Sequence, residues 1–196
     1  DGISGSVFSD INANSAPNTL ATVGYVNNVA SGLAIKKPCL AVTAGNEHKN
    51  DTYATVDLVI DGTTYKTNTI SGSTALVIDG VSSWTAGDGG FDIETAGSRV
   101  LINNRTNSYE NGFYYVKEID TEAPSFTLQR TWDADNAPSG NEIVAGALTY
   151  IIDGSTYSQH QFILNTDTDS LPTWNDSVSN GLSESGTINF VTFSNN

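Results

Sequence analysis

With 196 residues, 38% of them hydrophobic and 15% charged, the chain is long enough to bury a core and does not read as disordered. Its 22 Asp and Glu against 8 Lys and Arg give a net charge of −14, which repels phosphate and makes nucleic acid and anionic membranes poor partners. The single cysteine, Cys39, excludes an intrachain disulfide and a cysteine metal cluster.

No apolar run approaches the roughly 20 residues of a membrane-spanning helix. The chain begins at Asp1 and has no methionine, so it reads as a processed product or a fragment of something longer. Residues 1–18 are rich in Gly, Ser, Asn and Asp with isolated apolar positions, and are expected to form an extended linker. A helical period then appears once, over residues 19–35. Thr19 is placed to cap it, and Leu20, Val23, Val26, Ala30 and Leu33 recur every three or four residues. Gly32 and then Pro38 stop it. At about fifteen residues such a helix is marginal alone in water. It needs a partner surface, either its own domain or copies of itself in an oligomer.

From Leu40 the period is two. Val56, Leu58 and Ile60 alternate with other residues until Asp61-Gly62, which turns the chain into "TTYKTNT". Asp153-Gly154 likewise links Leu148, Tyr150 and Ile152 to Phe162 and Leu164. "TALVIDGV", "RVLINN", "GFYYVKEI", "SFTLQRTW" and "TINFVTF" read as further strands, with Asn111-Gly112 supplying a positive φ before "FYYV". Seven to nine short strands predict a mainly β fold, an antiparallel β-sandwich or barrel over residues 36–196, after the linker and short helix. Trp132, Phe126, Leu128, Val100, Ile102, Phe113 and Tyr115 are expected to fill one sheet-on-sheet interior. Cys39, beside Leu40 at the start of an apolar run, is expected to be a buried, inert thiol.

Chemistry is thinly represented. His48 and His160 are the only histidines, and neither stands in a zinc-ligand pattern or beside a serine nucleophile motif. Asp88, Asp92, Glu94, Asp133, Asp135, Asp167 and Asp169 are the acids available for a glycosidase pair, which needs carboxylates roughly 5–9.5 Å apart across a sugar. Their setting, in turn-like segments, favours no enzyme. "NTDTDS" and "DADN" resemble halves of calcium loops but lack the mid-loop Gly and the twelfth-position Glu. No cofactor is expected, beyond a weak structural calcium that such segments could hold.

In order along the chain stand "GYVNNVASGLAIKKP", "VIDGV", "AGSRVLINNRTNSYENGFYYV", "LQRTWDADN", "AGALTYIIDGS" and "GTINFVTF". This order resembles a module of tail fibre and related tail proteins of tailed bacteriophages, over about Thr22 to Phe193. Ser98 stands where the module usually has Asp, and the segments 53–74 and 83–95 are additions to it. The resemblance implies a non-enzymatic virion structural or adhesion module, assembled in the host cytoplasm and carried on the phage tail. It implies a homotrimer, with Leu20, Val23, Val26, Ala30 and Leu33 at the trimer contact. Other tail or baseplate proteins, and a host surface glycan or outer-membrane protein, are the partners it implies.

The loop "NNRTNSYENG" recurs with the module, so it reads as a connector more than as a receptor site. Arg99 and Arg105 are expected to pair with the acidic "DADN" segment. Receptor contact is expected at Trp84, Asp88, Tyr109, Asp167, Asp169 and Trp174, where aromatic and acidic groups fall in turn-rich segments. Asn107 and Tyr157 are further polar and aromatic groups in loops. A polysaccharide-binding or depolymerising tail protein is the alternative, and a secreted carbohydrate-binding domain is a third reading of the same strands.

Overall fold

A computed structural model describes residues 34–60, 63–87, 97–134, 142–172 and 184–194. The fold is mainly β, as expected, with nine strands among these residues. The first is β1 (Ala41–Val42), followed by a long pair, β2 (Thr52–Ile60) and β3 (Thr63–Gly72). Next come β4 (Arg99–Ile102), β5 (Gly112–Asp120) and β6 (Ser125–Arg130), and then β7 (Leu148–Tyr150), β8 (Gln161–Leu164) and β9 (Phe190–Ser194). They make a six-stranded sheet in the order β1-β4-β5-β6-β3-β2 and a three-stranded sheet in the order β7-β8-β9.

All pairings between named strands are antiparallel except β1 with β4. The exception has a plain cause. Ile35 and Cys39 bridge in parallel to Leu148 and Ile151 of the small sheet, and Ala41 and Val42 then pair with Val100 and Leu101 of the large one. One extended segment thus stitches the two sheets together. Ala34 and Ile35, the last residues of the expected 19–35 helix, belong to this stitch: the Leu148 amide donates to the Ala34 carbonyl at 2.9 Å. The rest of that helix and the 1–18 linker lie outside the described residues.

"VLI" of β4 and "FYYV" of β5 are continuous apolar runs because both faces of the large sheet are covered at these strands. Leu101, Phe113 and Val42 point to one side, where they pack with Ile151, Phe162, Leu164, Ile188 and Phe190 from the small-sheet layer. Val100, Ile102, Tyr114 and Val116 point to the other, with Ile70, Phe126 and Leu128. That second side is roofed by the segment 73–86, through Leu76 and Ile78 and with Val81 and Trp84 packed against them. The expected single interior is therefore two, divided by the sheet itself. Trp132 belongs to neither: it is half-buried in a 3-10 turn, Trp132–Ala134, just past β6. Trp132→Ala is accordingly expected to cost about 1–2 kcal/mol in urea denaturation, less than the roughly 3–5 kcal/mol typical of a fully buried aromatic.

Both expected hairpins pair as antiparallel ladders. "TALVIDGV" is not a strand. Asp79 and Gly80 take φ of 47° and 81°, and Ile78 and Val81 exchange both backbone hydrogen bonds across them. Two consecutive left-handed residues reverse the chain at once, so the apolar residues serve a tight turn. No helix among the described residues is long and apolar enough to cross a membrane.

Candidate functional site

The loop from Asn103 to Asn111 joins β4 to β5 across the end of the large sheet, and its polar residues divide between an inner network and an outer groove. Inside, Arg105 is buried and donates from Nε to Glu110 Oε2 at 2.7 Å, and to the carbonyls of His48 and Asp51. Both members of the pair are nearly closed to water, which is tolerable only because their remaining groups are also bonded. Asn107 supplies part of that, donating to the other Glu110 oxygen at 2.8 Å. Asn111 accepts from the Arg105 amide and donates to the Ile188 carbonyl, fixing the loop to the chain's last strand region.

Arg130, from the end of β6, comes up beneath this loop and is 1% exposed. Its guanidinium donates to the Asn111 carbonyl at 2.9 Å and to the Tyr114 hydroxyl at 2.7 Å, with the Tyr109 and Glu110 carbonyls at 3.2 and 3.3 Å. It also lies 4.8 Å over the Tyr114 ring. Burial pushes the Tyr114 phenol far above its usual range despite that cation, so it stays a hydrogen-bond donor, to the Glu110 carbonyl. Gly112 is required here: its φ is 141°, and a Cβ would run into Arg130 Nη1. The Asn111-Gly112 signal in the sequence was a request for room as much as for a turn.

A second ion pair closes the other end of β4. Arg99 makes a two-pronged contact with Asp133, at 2.8 and 3.0 Å, and lies 4.8 Å over the Phe113 ring. Of the two expected arginine pairings with "DADN", Arg99 makes one; Arg105 instead turns to Glu110 within its own loop. Lys36 donates to the Asp133 carbonyl. Burial lowers the Lys36 ammonium from its ordinary pKa. Burial also pushes the Cys39 thiol up, away from a reactive thiolate, with Thr149 Oγ1 3.8 Å from its sulfur.

The outer side of the loop is an open groove lined by Lys49, Asn50, Tyr53, Thr106, Tyr109 and Glu184, with Arg105 and Glu110 as its floor. Tyr53 and Tyr109 stand edge to face with ring centroids 5.9 Å apart. Thr106 donates to Asn50 at 2.7 Å across the rim. Aromatic edges with amide and hydroxyl groups suit the alternating apolar and polar faces of a sugar. Among the described residues that line the groove there is no serine, cysteine or histidine side chain.

The expected contact residues have separate surroundings. Tyr109 lines this groove. Trp84 is half-buried against the second core, donating from Nε1 to the Leu76 carbonyl at 2.9 Å. Asp167 and Asp169 are exposed, the first just before the 3-10 turn Thr168–Ser170 and the second within it. Asp88 and Trp174 lie outside the described residues, as do Asp92, Glu94, Asp135 and Leu20, Val23, Val26, Ala30 and Leu33. Among the described residues no group of three His, Cys, Asp or Glu side chains is placed to hold a metal.

Sequence reasoning missed Tyr53 and Arg130. Tyr53 sits in an alternating strand with no mark of its role, and a lone arginine in a strand ordinarily faces water. Comparison with protein-family models, with curated proteins and with solved structures returns no match to this chain.

Proposed function

We propose that the chain is a non-enzymatic structural and adhesion module of a bacteriophage tail fibre, which positions or itself makes contact with a host surface. One observation carries the reading: the polar residues of the resembling segments are largely one another's partners. Arg99 of "AGSRVL" pairs with Asp133 of "TWDAD". Asn103 of the same block both donates to and accepts from the backbone of Phe190 in "INF". Arg130 of "LQRT" holds the carbonyls of "YEN". Asp79 of "IDGV" accepts from the amides of Thr156 and Tyr157, just after "IIDGS". Segments that stand in this order along the sequence and bond to each other in space make one structural unit, which supports a scaffold role.

An adhesive role draws on the Tyr53–Tyr109 groove. At a net charge of −14 long-range steering toward an anionic cell surface is adverse, so contact relies on short-range hydrogen bonds and aromatic packing. Asp133 is poorly placed to serve a depolymerase as acid or base, because its carboxylate is committed to Arg99 on both oxygens. Antibodies raised against the domain are expected to label the tails of phage particles in electron micrographs. Unlabelled tails, in particles where the chain is detected by mass spectrometry, would overturn the placement.

A further inference from the structure

Given the adhesive reading above, on which this rests, we infer that the Tyr53–Tyr109 groove binds an uncharged sugar unit, and that Glu184 turns acidic sugars away. The groove encloses about 380 Å³, within the roughly 300–1,000 Å³ of small-ligand sites. Its two sides are fixed to one another before any ligand arrives. Arg105 donates to the carbonyls of His48 and Asp51 on one side while it pairs with Glu110 on the other. Thr106 bonds Asn50 across the rim, and Asn107 holds Glu110. A site held in this way loses little freedom on binding, so a few contacts suffice for a small ligand.

The groups that this network leaves unused are those a sugar needs. Among the described residues nothing bonds to the Lys49 ammonium, the Asn50 amide N–H groups, the Tyr109 hydroxyl or the Glu184 carboxylate. They set donors and acceptors around one concave surface, as neighbouring sugar hydroxyls require. The tyrosines supply the apolar part. Tyr53 buries its hydroxyl and so offers carbon surface. The edge-to-face contact between the rings covers a face of one of them and neither face of the other. A sugar's C–H face packs on such a ring while its hydroxyls reach the polar rim.

Charge decides which sugars fit. Asp51, Glu110 and Glu184 line the groove against Lys49 and Arg105, an excess of carboxylate in a chain of net charge −14. Arg105 and Glu110 neutralise each other, and Asp51 is engaged by His48 at 2.8 Å. Glu184 is exposed and unpaired, so it is the carboxylate that an entering ligand meets. Its field reaches the aromatic wall. Partial burial raises the Tyr109 phenol above its ordinary pKa, and Glu110 and Glu184 raise it further against the opposing Arg105. A neutral sugar donates its hydroxyls to Glu184, whereas a sugar carboxylate sets like charge against it.

The experiment is ligand-observed NMR titration of the full 196-residue chain. The probes are neutral oligosaccharides of glucose, galactose, mannose and N-acetylglucosamine, and acidic ones of galacturonic and sialic acid. At least one neutral series is expected to bind at roughly millimolar affinity, and the acidic ones at least about tenfold more weakly. Tyr109→Ala is expected to weaken the neutral sugar at least about tenfold. Glu184→Gln is expected to bring the acidic sugars within about threefold of the neutral one. Circular dichroism confirms that each variant is folded. A panel without a binder overturns the inference, as do acidic sugars that bind as well as neutral ones and neutral binding that survives Tyr109→Ala. An unchanged preference in Glu184→Gln removes Glu184 from its role. If antibodies label phage tails while no sugar binds, the groove alone fails and the scaffold reading stands. Sugar binding with unlabelled tails keeps the site and removes the placement.

Discussion

Arg130→Ala is expected to destabilise the domain by about 3–5 kcal/mol, measured as a fall in the urea midpoint at unchanged slope. The loss has several sources that act together. The Asn111, Glu110 and Tyr109 carbonyls and the Tyr114 hydroxyl all face the guanidinium from a site closed to water. Removing the donor leaves the Asn111 and Tyr109 carbonyls without it, at about 1–3 kcal/mol for each buried group left unsatisfied, while the Glu110 carbonyl keeps the Tyr114 hydroxyl. Relaxation toward one another recovers part of that. Truncation also opens a void beneath the loop, and the stacking over Tyr114 is lost. Arg130→Lys is expected to recover little, because an ammonium cannot span carbonyls that a planar fork reaches at once. A cost under about 1 kcal/mol for Arg130→Ala would mean that the 103–111 loop is held from outside the network.

The fold was legible where local chemistry and burial agreed. β2 alternates, runs through Asp61-Gly62 into β3, and pairs with it in the register that places Val56 opposite Thr67 and Leu58 opposite Tyr65. "FYYV" carried more information than its strand character: four apolar residues without alternation already require cover on both faces. Expecting a single interior passed over that signal. "TALVIDGV" was misleading because a buried I′-type turn and a buried strand draw on the same apolar residues. Only the φ angles at Asp79 and Gly80 distinguish them.

The site was less legible than the fold. Tyr109 was singled out as an aromatic in a polar loop, and it does line a groove. Its companion Tyr53 is 56 positions away in the sequence, and nothing local announces that β2 and the 103–111 loop meet. Trp84 shows the opposite error: its flanks are polar, yet its ring packs against the core and its N–H is taken by Leu76. Loop composition reports solubility, and it cannot say which aromatic turns inward.

The Arg99–Asp133 pair should make stability acid-sensitive, and the direction follows from its surroundings. Burial raises the Asp133 pKa, but the Arg99 guanidinium and its hydrogen bonds outweigh burial, with Lys36 adding to them. The carboxyl is therefore held below the ordinary value of about 3.9. A group depressed in the folded state binds fewer protons there than in the unfolded chain. Its contribution is complete above about pH 4 and is lost as the pH falls through the lowered native value. Asp133→Asn is expected to cost about 3 kcal/mol at neutral pH, since it leaves Arg99 charged, 10% exposed and without its counter-ion. That deficit should narrow as the pH falls through the depressed native value, where the parent loses the same charge. Replacing both partners, Arg99→Met with Asp133→Leu, is expected to recover most of the loss and flatten this part of the acid response. Urea denaturation of the three proteins from neutral pH to about pH 2.5 distinguishes the outcomes, reading the pH slope against the carboxyl's depressed value. If Asp133→Asn keeps the parent's slope, the acid response belongs to other carboxylates, and the pair serves only to orient Arg99 over Phe113.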